Sequence, residues 1–153
     1  MAAVPRALSS VALKSRAAFL VAAVILLTAL GYLRDPPWLS NVTSGLSAWE
    51  TDEAGVPYRW TRGHASFFVP ADRRAVVLTM RSDKDAPTDW PITATLTIDD
   101  RPAEIITFRD EGWHDVRLRL PPRGNRDVRR IDVKLDRVRS RQRGIQLREP
   151  RVE

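Results

Sequence analysis

The stretch ITATLTIDDRPAEIITF, residues 92–108, determines the fold. Every second residue of its first half is apolar, and threonines fill the positions between. A period of two is typical of a strand that buries one side and exposes the other. The Asp-Asp-Arg-Pro turn after it predicts a hairpin between strands 92–99 and 103–108. The stretch therefore favours an antiparallel all-β domain.

The same period recurs in HDVRLRL (114–120) and IDVKLD (131–136), and turn-forming segments separate the strands. We expect an all-β antiparallel sandwich, jelly-roll-like, of about eight strands, with a short piece at 144–148 that closes the sheet. The strands are expected near residues 46–51, 58–62, 64–69, 75–81, 92–99, 103–108, 113–120 and 128–136.

The segment YRWTRGHASFFVP, residues 58–70, alternates aromatic, charged and small residues. We interpret it as two short strands around a bend at Gly63. Trp60 is expected in the core, because large aromatic side chains dominate the burial of small domains.

Residues 17–33, AAFLVAAVILLTALGYL, contain no charge, and the basic residues Arg6, Lys14 and Arg16 precede them. The run predicts a transmembrane anchor with the N-terminus inside the cell. The chain is then organised as a basic cytoplasmic segment (1–16), the anchor (17–33), a linker (34–45) and an extracytoplasmic domain (46–153). The small residues at 29–31 also fit a cleaved signal peptide and a secreted domain, and a buried helix of a soluble protein is a third interpretation.

The composition restricts the chemistry. There is no cysteine, which excludes disulfides, thiolate catalysis and cysteine-ligated metals. The motifs of serine hydrolases, zinc proteases, P-loop proteins and dinucleotide-binding proteins are absent as well.

The two histidines give no catalytic pattern. His114 lies beside Asp115, but adjacent strand residues face opposite ways, and His64 shares a face with Ser66 without a third member. A glycan hydrolase would need two opposed carboxylates, for instance Asp110 with Glu111, and alternation alone does not show whether they converge. We therefore expect no catalytic residues and no enzyme.

A metal site has one candidate. The segment SDKDAPTD places Asp83, Asp85 and Asp89 in one loop, and oxygen-rich loops suit Ca²⁺. The loop lacks the glycine and final glutamate of an EF-hand, and aspartate is also a common turn residue. We expect no cofactor, with calcium as the alternative.

Carbohydrate binding is the more informative hypothesis. Sugar rings stack on aromatic faces while their hydroxyl groups bond to polar side chains. The candidate residues are Trp90, Trp113, Asp89 and Arg59, and two or three of the tryptophans are expected in the core instead.

Basic residues concentrate at the C-terminal end, since residues 117–153 hold thirteen of the 25. Such a run is usually a solvated face or a mobile tail. The alternative is contact with lipid headgroups or an acidic glycan through a patch formed by Arg137, Arg139, Arg141 and Arg143. Nucleic acid as a partner would contradict the predicted topology.

The segments YRWTRGHASFFVP, VVLTMRS, ITATLTIDDRPA, GWHDVRLRLPP and RRIDVKLD carry a resemblance. Over about residues 55–136 the chain resembles a small β-sandwich module attached to bacterial inner-membrane glycosyltransferases of cell-surface polysaccharide synthesis. The resemblance implies a location and a context. It implies no transferase activity, because the many membrane helices of those enzymes are absent, and the arginine-rich segment after Asp136 departs from the module.

These observations lead to two hypotheses. In the first, the protein is a non-catalytic β-sandwich anchored in the bacterial cytoplasmic membrane. It binds glycan or assists envelope-polysaccharide assembly, with the lipid bilayer and a glycan or membrane glycosyltransferase as partners. In the alternative, it is a structural subunit that docks through a sheet edge or the basic tail.

Overall fold

The computed structural model describes residues 7–82, 91–138 and 143–153, with the backbone alone for residues 7–15. It divides into two compact units, Met1–Pro37 and Trp38–Glu153. The second unit contains every described strand and every residue of the central apolar cluster. We therefore expect residues 38–153 to fold as a fragment.

The first unit is one helix, α1 (Ala7–Arg34). It has 28 residues and is about 42 Å long at 1.5 Å per residue, which exceeds a bilayer core of about 30 Å. Its large apolar side chains from Phe19 to Leu33 are more than half exposed. The hydroxyl of Thr28 donates a hydrogen bond to the carbonyl of Val24 at 2.8 Å, which satisfies its polarity within the helix. By length and composition α1 is able to span a membrane, a property that a signal sequence shares.

The second unit is an all-β antiparallel structure, as predicted, and its only helical turn among the described residues is Leu39–Asn41. The structure describes ten strands where the sequence predicts about eight, and several of the ten are only two to four residues long. They are β1 (Thr43–Leu46), β2 (Glu50–Thr51), β3 (Pro57–Pro70), β4 (Ala75–Arg81), β5 (Ile92–Ile98), β6 (Arg101–Phe108), β7 (His114–Arg119), β8 (Val128–Leu135), β9 (Gln146–Arg148) and β10 (Arg151–Val152).

The strands form two sheets that share β3. Sheet I has the order β6-β5-β8-β3-β1 and uses the second half of β3. Sheet II has the order β2-β3-β9-β4-β7 and uses the first half of β3, and β10 also pairs with β4. The expected piece at 144–148 is confirmed as β9, which lies between β3 and β4 and so closes sheet II.

The prediction of two strands within residues 58–70 is wrong, because β3 is continuous through Gly63. Its first half pairs with β9 at Tyr58 to Trp60, and its second half pairs with β8 from His64 to Pro70. The chain therefore passes from one sheet to the other without a break, which the local sequence gives no means to foresee.

The predicted linker, residues 34–45, extends too far, because β1 begins at Thr43 and ends at Leu46. The pairing of β1 with β3 shifts register between Ser44 and Leu46. Gly45 sits at this bulge with φ +67°, and a Cβ there would collide with the carbonyl oxygen of His64. Only glycine allows both the positive φ and the close approach.

The core lies between the two sheets and follows the predicted alternation. Ile92, Ala94, Leu96 and Ile98 of β5 are buried, while the threonines between them are half-buried. The hairpin turn is confirmed at Asp99 and Asp100, which have φ of 49° and 67°. The buried cluster also includes Phe67, Val69, Val76, Leu78, Met80, Phe108, Leu118, Leu120, Ile131, Val133, Leu135, Ile145 and Leu147.

Candidate functional site

A cleft of about 630 Å³ lies on the face of sheet II that points away from the core. Tyr58 and Trp60 of β3 share this face, and their register partners on β9 are Arg148 and Gln146. We name this cleft the tryptophan–arginine cleft. Its lining residues are Thr51, Asp52, Glu53, Ala54, Tyr58, Trp60, Arg81, Trp113, Arg143, Gln146 and Arg148.

The loop between β2 and β3 forms one wall of the cleft. The Asp52 carboxylate accepts hydrogen bonds from the backbone N–H groups of Ala54 (3.1 Å) and Val56 (2.8 Å), and Gly55 has φ +76°. These bonds lower the pKa of Asp52, with the bond from Val56 contributing most. Its second oxygen accepts a bond from Arg148 at 2.9 Å, so one ionised side chain holds both the loop and an arginine of the cleft.

Trp113 is half-buried and contacts two guanidinium groups. The Cζ atom of Arg148 lies 4.0 Å from the centroid of the Trp113 ring, and that of Arg81 lies 4.6 Å from it. Arg81 also donates from Nε to Oε1 of buried Gln146 at 2.5 Å. The indole is thus packed against planar cations that have further polar partners.

Trp60 and Tyr58 form the second aromatic pair, edge to face at 6.2 Å between centroids. The Glu50 carboxylate accepts from the Tyr58 hydroxyl (3.1 Å) and from Nε1 of Trp60 (3.3 Å). Burial, followed by this carboxylate, raises the pKa of Tyr58. Arg143 places its Cζ atom 5.1 Å from the Trp60 ring centroid, and no carboxylate pairs with it among the described residues.

A buried clamp fixes the segment that supplies Arg143, Gln146 and Arg148. The Thr61 hydroxyl donates to the carbonyl of Ile145 (3.1 Å) and accepts from the N–H of Ile145 (3.0 Å). The backbone N–H of Thr61 donates to the same carbonyl at 2.8 Å, and the N–H of Gly144 donates to the carbonyl of Thr61 at 2.7 Å. Four hydrogen bonds therefore position one side of the cleft.

The cleft combines aromatic rings with guanidinium, carboxylate and amide groups. Such a set provides surfaces for apolar C–H groups and directed partners for hydroxyl groups. The Nε atom of Arg148 is buried and lacks a hydrogen-bond partner within the described part of the chain, so an acceptor that reached it would satisfy a donor that is otherwise costly to bury.

The structure brings one predicted sugar-binding residue, Trp113, into this cleft. Arg59 lies on the opposite face of β3, where it donates to the carbonyl of Ser47 at 2.6 Å and lies 5.2 Å from the ring of Trp49. Burial lowers the pKa of Arg59. Trp90 and Asp89 are outside the described residues, and so are Asp83 and Asp85 of the predicted calcium loop.

The sequence analysis missed the cleft arginines Arg81 and Arg148, placed Arg143 in the basic patch, and assigned Trp60 to the core. Trp60 is buried, as predicted, with 5% exposure, but it lines the cleft and is not part of the central cluster. The sequence did contain one signal for the cleft. Tyr58 and Trp60 alternate, so both aromatic rings lie on one face of the strand and need a surface to pack against.

The predicted basic patch is only partly described. Arg143 faces the cleft, Arg137 lies 3.6 Å from the carboxylate of Asp136, and Arg139 and Arg141 lie outside the described residues. The C-terminal run is not a mobile tail over 143–153, because β9 and β10 pair with sheet II there. Contact of the patch with lipid stays a prediction.

Each histidine contacts the carboxylate of an aspartate that is not its neighbour in sequence. Nε2 of His64 lies 3.2 Å from the Asp132 carboxylate, which also accepts from Nε of Arg130 at 2.9 Å. Nε2 of His114 lies 2.9 Å from Asp110, and the N–H of Gly112 and this contact lower the pKa of Asp110. In residues 7–82, 91–138 and 143–153, no group of three side chains has the arrangement of a metal site.

No protein-family model matches this chain, and no curated protein is similar to it in sequence. Among solved structures, it is similar to a family two carbohydrate esterase of Clostridium thermocellum in complex with cellohexaose, with 9% identity and a TM-score of 0.48. The alignment covers 73% of this chain and 31% of the esterase chain.

A family two carbohydrate esterase of Cellvibrio japonicus has 14% identity and a TM-score of 0.46, over 71% of this chain and 29% of that one. The salicylyl-acyltransferase SsfX3 of a tetracycline biosynthetic pathway has 10% identity and a TM-score of 0.45, over 73% and 36%. This chain thus spans about a third of the length of each of these three proteins. Likeness at this level carries no argument about activity.

Proposed function

We propose that this protein is a non-catalytic glycan-binding β-sandwich that α1 anchors to a membrane. The observation that carries the proposal is the tryptophan–arginine cleft, which sets Tyr58, Trp60 and Trp113 among charged and amide side chains. Its volume of about 630 Å³ is within the range of about 300–1,000 Å³ that is usual for small-ligand sites.

The chemistry of the cleft suits a sugar unit. A pyranose or furanose ring presents C–H groups on its faces and hydroxyl groups around its edge. The part of the half-buried Trp113 ring that the arginines leave open would contact one face, and Asp52 and Arg148 would exchange hydrogen bonds with the hydroxyl groups. Because Asp52 already holds Arg148, and Glu50 holds Tyr58 and Trp60, little conformational entropy is lost on binding.

The proposed location is the outer side of a bacterial cytoplasmic membrane, with residues 1–16 inside. The exposed apolar surface of α1 supports anchoring, and the basic residues before it support the orientation. The resemblance of residues 55–136 to a module of envelope glycosyltransferases supports a role in polysaccharide assembly. Cleavage after α1 would leave a secreted domain with the same cleft.

The test is the mobility of fragment 38–153 in native gels that contain a single soluble polysaccharide. The panel is mannan, galactan, arabinan, xylan and polygalacturonate. At least one polysaccharide should retard the wild-type fragment, and Trp113→Ala should reduce that retardation at least tenfold in apparent affinity. Trp49→Ala is the matched control, because Trp49 is 51% exposed and lies against Arg59, away from the cleft.

Retardation that is absent throughout the panel would argue against the proposal. If Trp113→Ala and Trp49→Ala reduced the retardation equally, sugar binding would not be located in the tryptophan–arginine cleft. Thermal unfolding of each variant, followed by tryptophan fluorescence, separates a lost site from a lost fold.

A specific observation favours the second candidate, a subunit that docks through a sheet edge. β6 is the outermost strand of sheet I, and Ile105 on it is 66% exposed. An exposed edge strand pairs readily with another chain. A partner that co-purifies with the full chain in mild detergent, and is lost in Ile105→Lys, would support this role.

A further inference from the structure

A second cavity, of about 770 Å³, is larger than the tryptophan–arginine cleft. It is lined by residues of β6, the edge of sheet I, and by residues of β7, the edge of sheet II, together with the loops at 71–74 and 120–123. We name it the arginine groove. Its walls carry six arginines, which are Arg73, Arg74, Arg101, Arg117, Arg119 and Arg123.

Positive charge exceeds negative charge in this groove. Among the described lining residues the carboxylates are Glu104 and Asp72, and Asp72 pairs with Arg73 at 3.5 Å. Arg117 pairs with Glu153 at 2.8 Å, and Arg123 pairs with Asp127, two carboxylates that lie outside the lining. Even with these two included, six guanidinium groups face four carboxylates.

Three arginines of the groove have no ion pair. Within the described residues, Arg74, Arg101 and Arg119 have no carboxylate partner, and all three are exposed. Cations that share a groove repel one another, and an anion between them would relieve this repulsion and gain charge-assisted hydrogen bonds.

The rest of the lining is apolar. Ile98, Leu118 and Leu120 form the buried floor, and Pro102, Pro121 and Pro122 add apolar surface nearer the solvent. No aromatic ring is among the described lining residues, so a sugar would find no stacking surface here. An apolar floor between cationic walls suits a molecule that is anionic at one end and apolar along its length.

We propose that the arginine groove binds an amphiphile that carries a phosphate group on an apolar chain. The guanidinium groups of Arg74, Arg101 and Arg119 hold the phosphate, and the proline and leucine surface receives the chain. Such a ligand is either a lipid of the bilayer or a single lipid-linked phosphate outside it. The site is independent of the tryptophan–arginine cleft.

The probe is dodecyl phosphate below its critical micelle concentration, titrated into fragment 38–153 by calorimetry. We expect saturable binding of one molecule. Inorganic phosphate, which lacks the chain, should bind at least tenfold more weakly. A dodecyl polyoxyethylene ether, which lacks both the charge and any sugar, should not bind measurably. A second experiment mixes the fragment with phosphatidylcholine vesicles that contain phosphatidic acid. If the fragment sediments with the vesicles, the ligand is a lipid of the bilayer. If it binds dodecyl phosphate but not the vesicles, the ligand is a single lipid-linked phosphate.

The decisive variant replaces Arg74, Arg101 and Arg119 with glutamine and should weaken dodecyl phosphate binding at least tenfold. The control replaces three exposed cations outside the groove, Arg62, Arg109 and Lys134, with glutamine, and should bind as the wild type does. Equal loss in both variants would mean bulk electrostatic attraction and overturn the proposal. Equal affinity for inorganic and dodecyl phosphate, or no binding at all, would overturn it too.

Discussion

The tryptophan–arginine cleft and the arginine groove lie on one small domain and differ in how their arginines are held. In the cleft, Arg148 pairs with Asp52 and contacts Trp113, and Arg81 bonds to Gln146. In the groove, Arg74, Arg101 and Arg119 lack carboxylate partners within the described chain, above a floor of leucine and proline. Arginine content alone therefore does not indicate a ligand, because the neighbours decide which chemistry a guanidinium group presents.

The largest expected effect comes from Gly144, whose N–H donates to the carbonyl of Thr61 in the clamp beside the cleft. A Cβ at this position would lie 2.7 Å from Oγ1 and 2.9 Å from the carbonyl oxygen of Thr61. Gly144→Ala should lower the free energy of unfolding by about 3 kcal/mol, since the backbone must move to admit the methyl group. Urea denaturation measures the change.

Gly124→Ala is the control for this substitution, because a Cβ there would meet only the end of the Arg129 side chain at 3.6 Å. We expect its unfolding free energy to stay within about 0.5 kcal/mol of wild type. A similar loss in both variants would mean that the clamp does not determine the stability of this side of the domain.

The next effect concerns the hydroxyl of Thr61. Thr61→Val should cost about 1–3 kcal/mol, because the buried N–H of Ile145 loses its acceptor. Cleft binding should weaken while groove binding stays unchanged. Thr93→Val on β5, where the lost hydroxyl makes only an exposed contact with Thr107 of β6, should be nearly neutral by the same denaturation assay.

Single substitutions of one arginine in each site test whether the cleft and the groove are independent. Arg148→Gln should weaken the best-retained polysaccharide of the gel panel about tenfold, or about 1.4 kcal/mol, and leave dodecyl phosphate binding unchanged. Arg119→Gln should do the reverse. If either variant weakened both ligands equally, the two sites would not be independent.

The smallest effect is a pH dependence that belongs to the cleft. The pKa of Asp52 is lower in the folded protein than its ordinary value of 3.8, so its ionisation stabilises the fold above about pH 4. That contribution is lost as the pH falls through the folded pKa. The difference in unfolding free energy between wild type and Asp52→Asn should therefore shrink below pH 4. A difference that stayed constant down to pH 2 would contradict this role.

The fold could be predicted where the information is local. Alternation in β5, β7 and β8 identifies both the strands and their buried faces, and the Asp-Asp turn identifies the hairpin of β5 with β6. β3 was predicted as two strands because Gly63 suggests a bend. β3 is continuous because its first half pairs with β9 and its second half with β8, and both partners lie far along the chain.

The cleft was harder to foresee for the same reason. Thr61 bonds to Ile145 across 84 residues, and Arg148 bonds to Asp52 across 96. Arg143, which belongs to a run that indicates a solvated surface, reaches the Trp60 ring only because this clamp returns the segment to β3. Trp113 could be selected from the sequence, since a tryptophan before a strand is a reasonable candidate for a partly exposed ring.

The most direct test of glycan binding in the cleft uses the indole N–H signals of fragment 38–153, which contains all five tryptophans of the chain. Two-dimensional ¹H–¹⁵N spectra, assigned by single substitutions, would follow each indole as the best-retained polysaccharide is added. If the cleft binds the glycan, the indole signals of Trp113 and Trp60 shift saturably, while those of Trp49 and Trp38 stay unchanged. Shifts confined to Trp38, Trp49 or Trp90, with Trp60 and Trp113 unmoved, would contradict it.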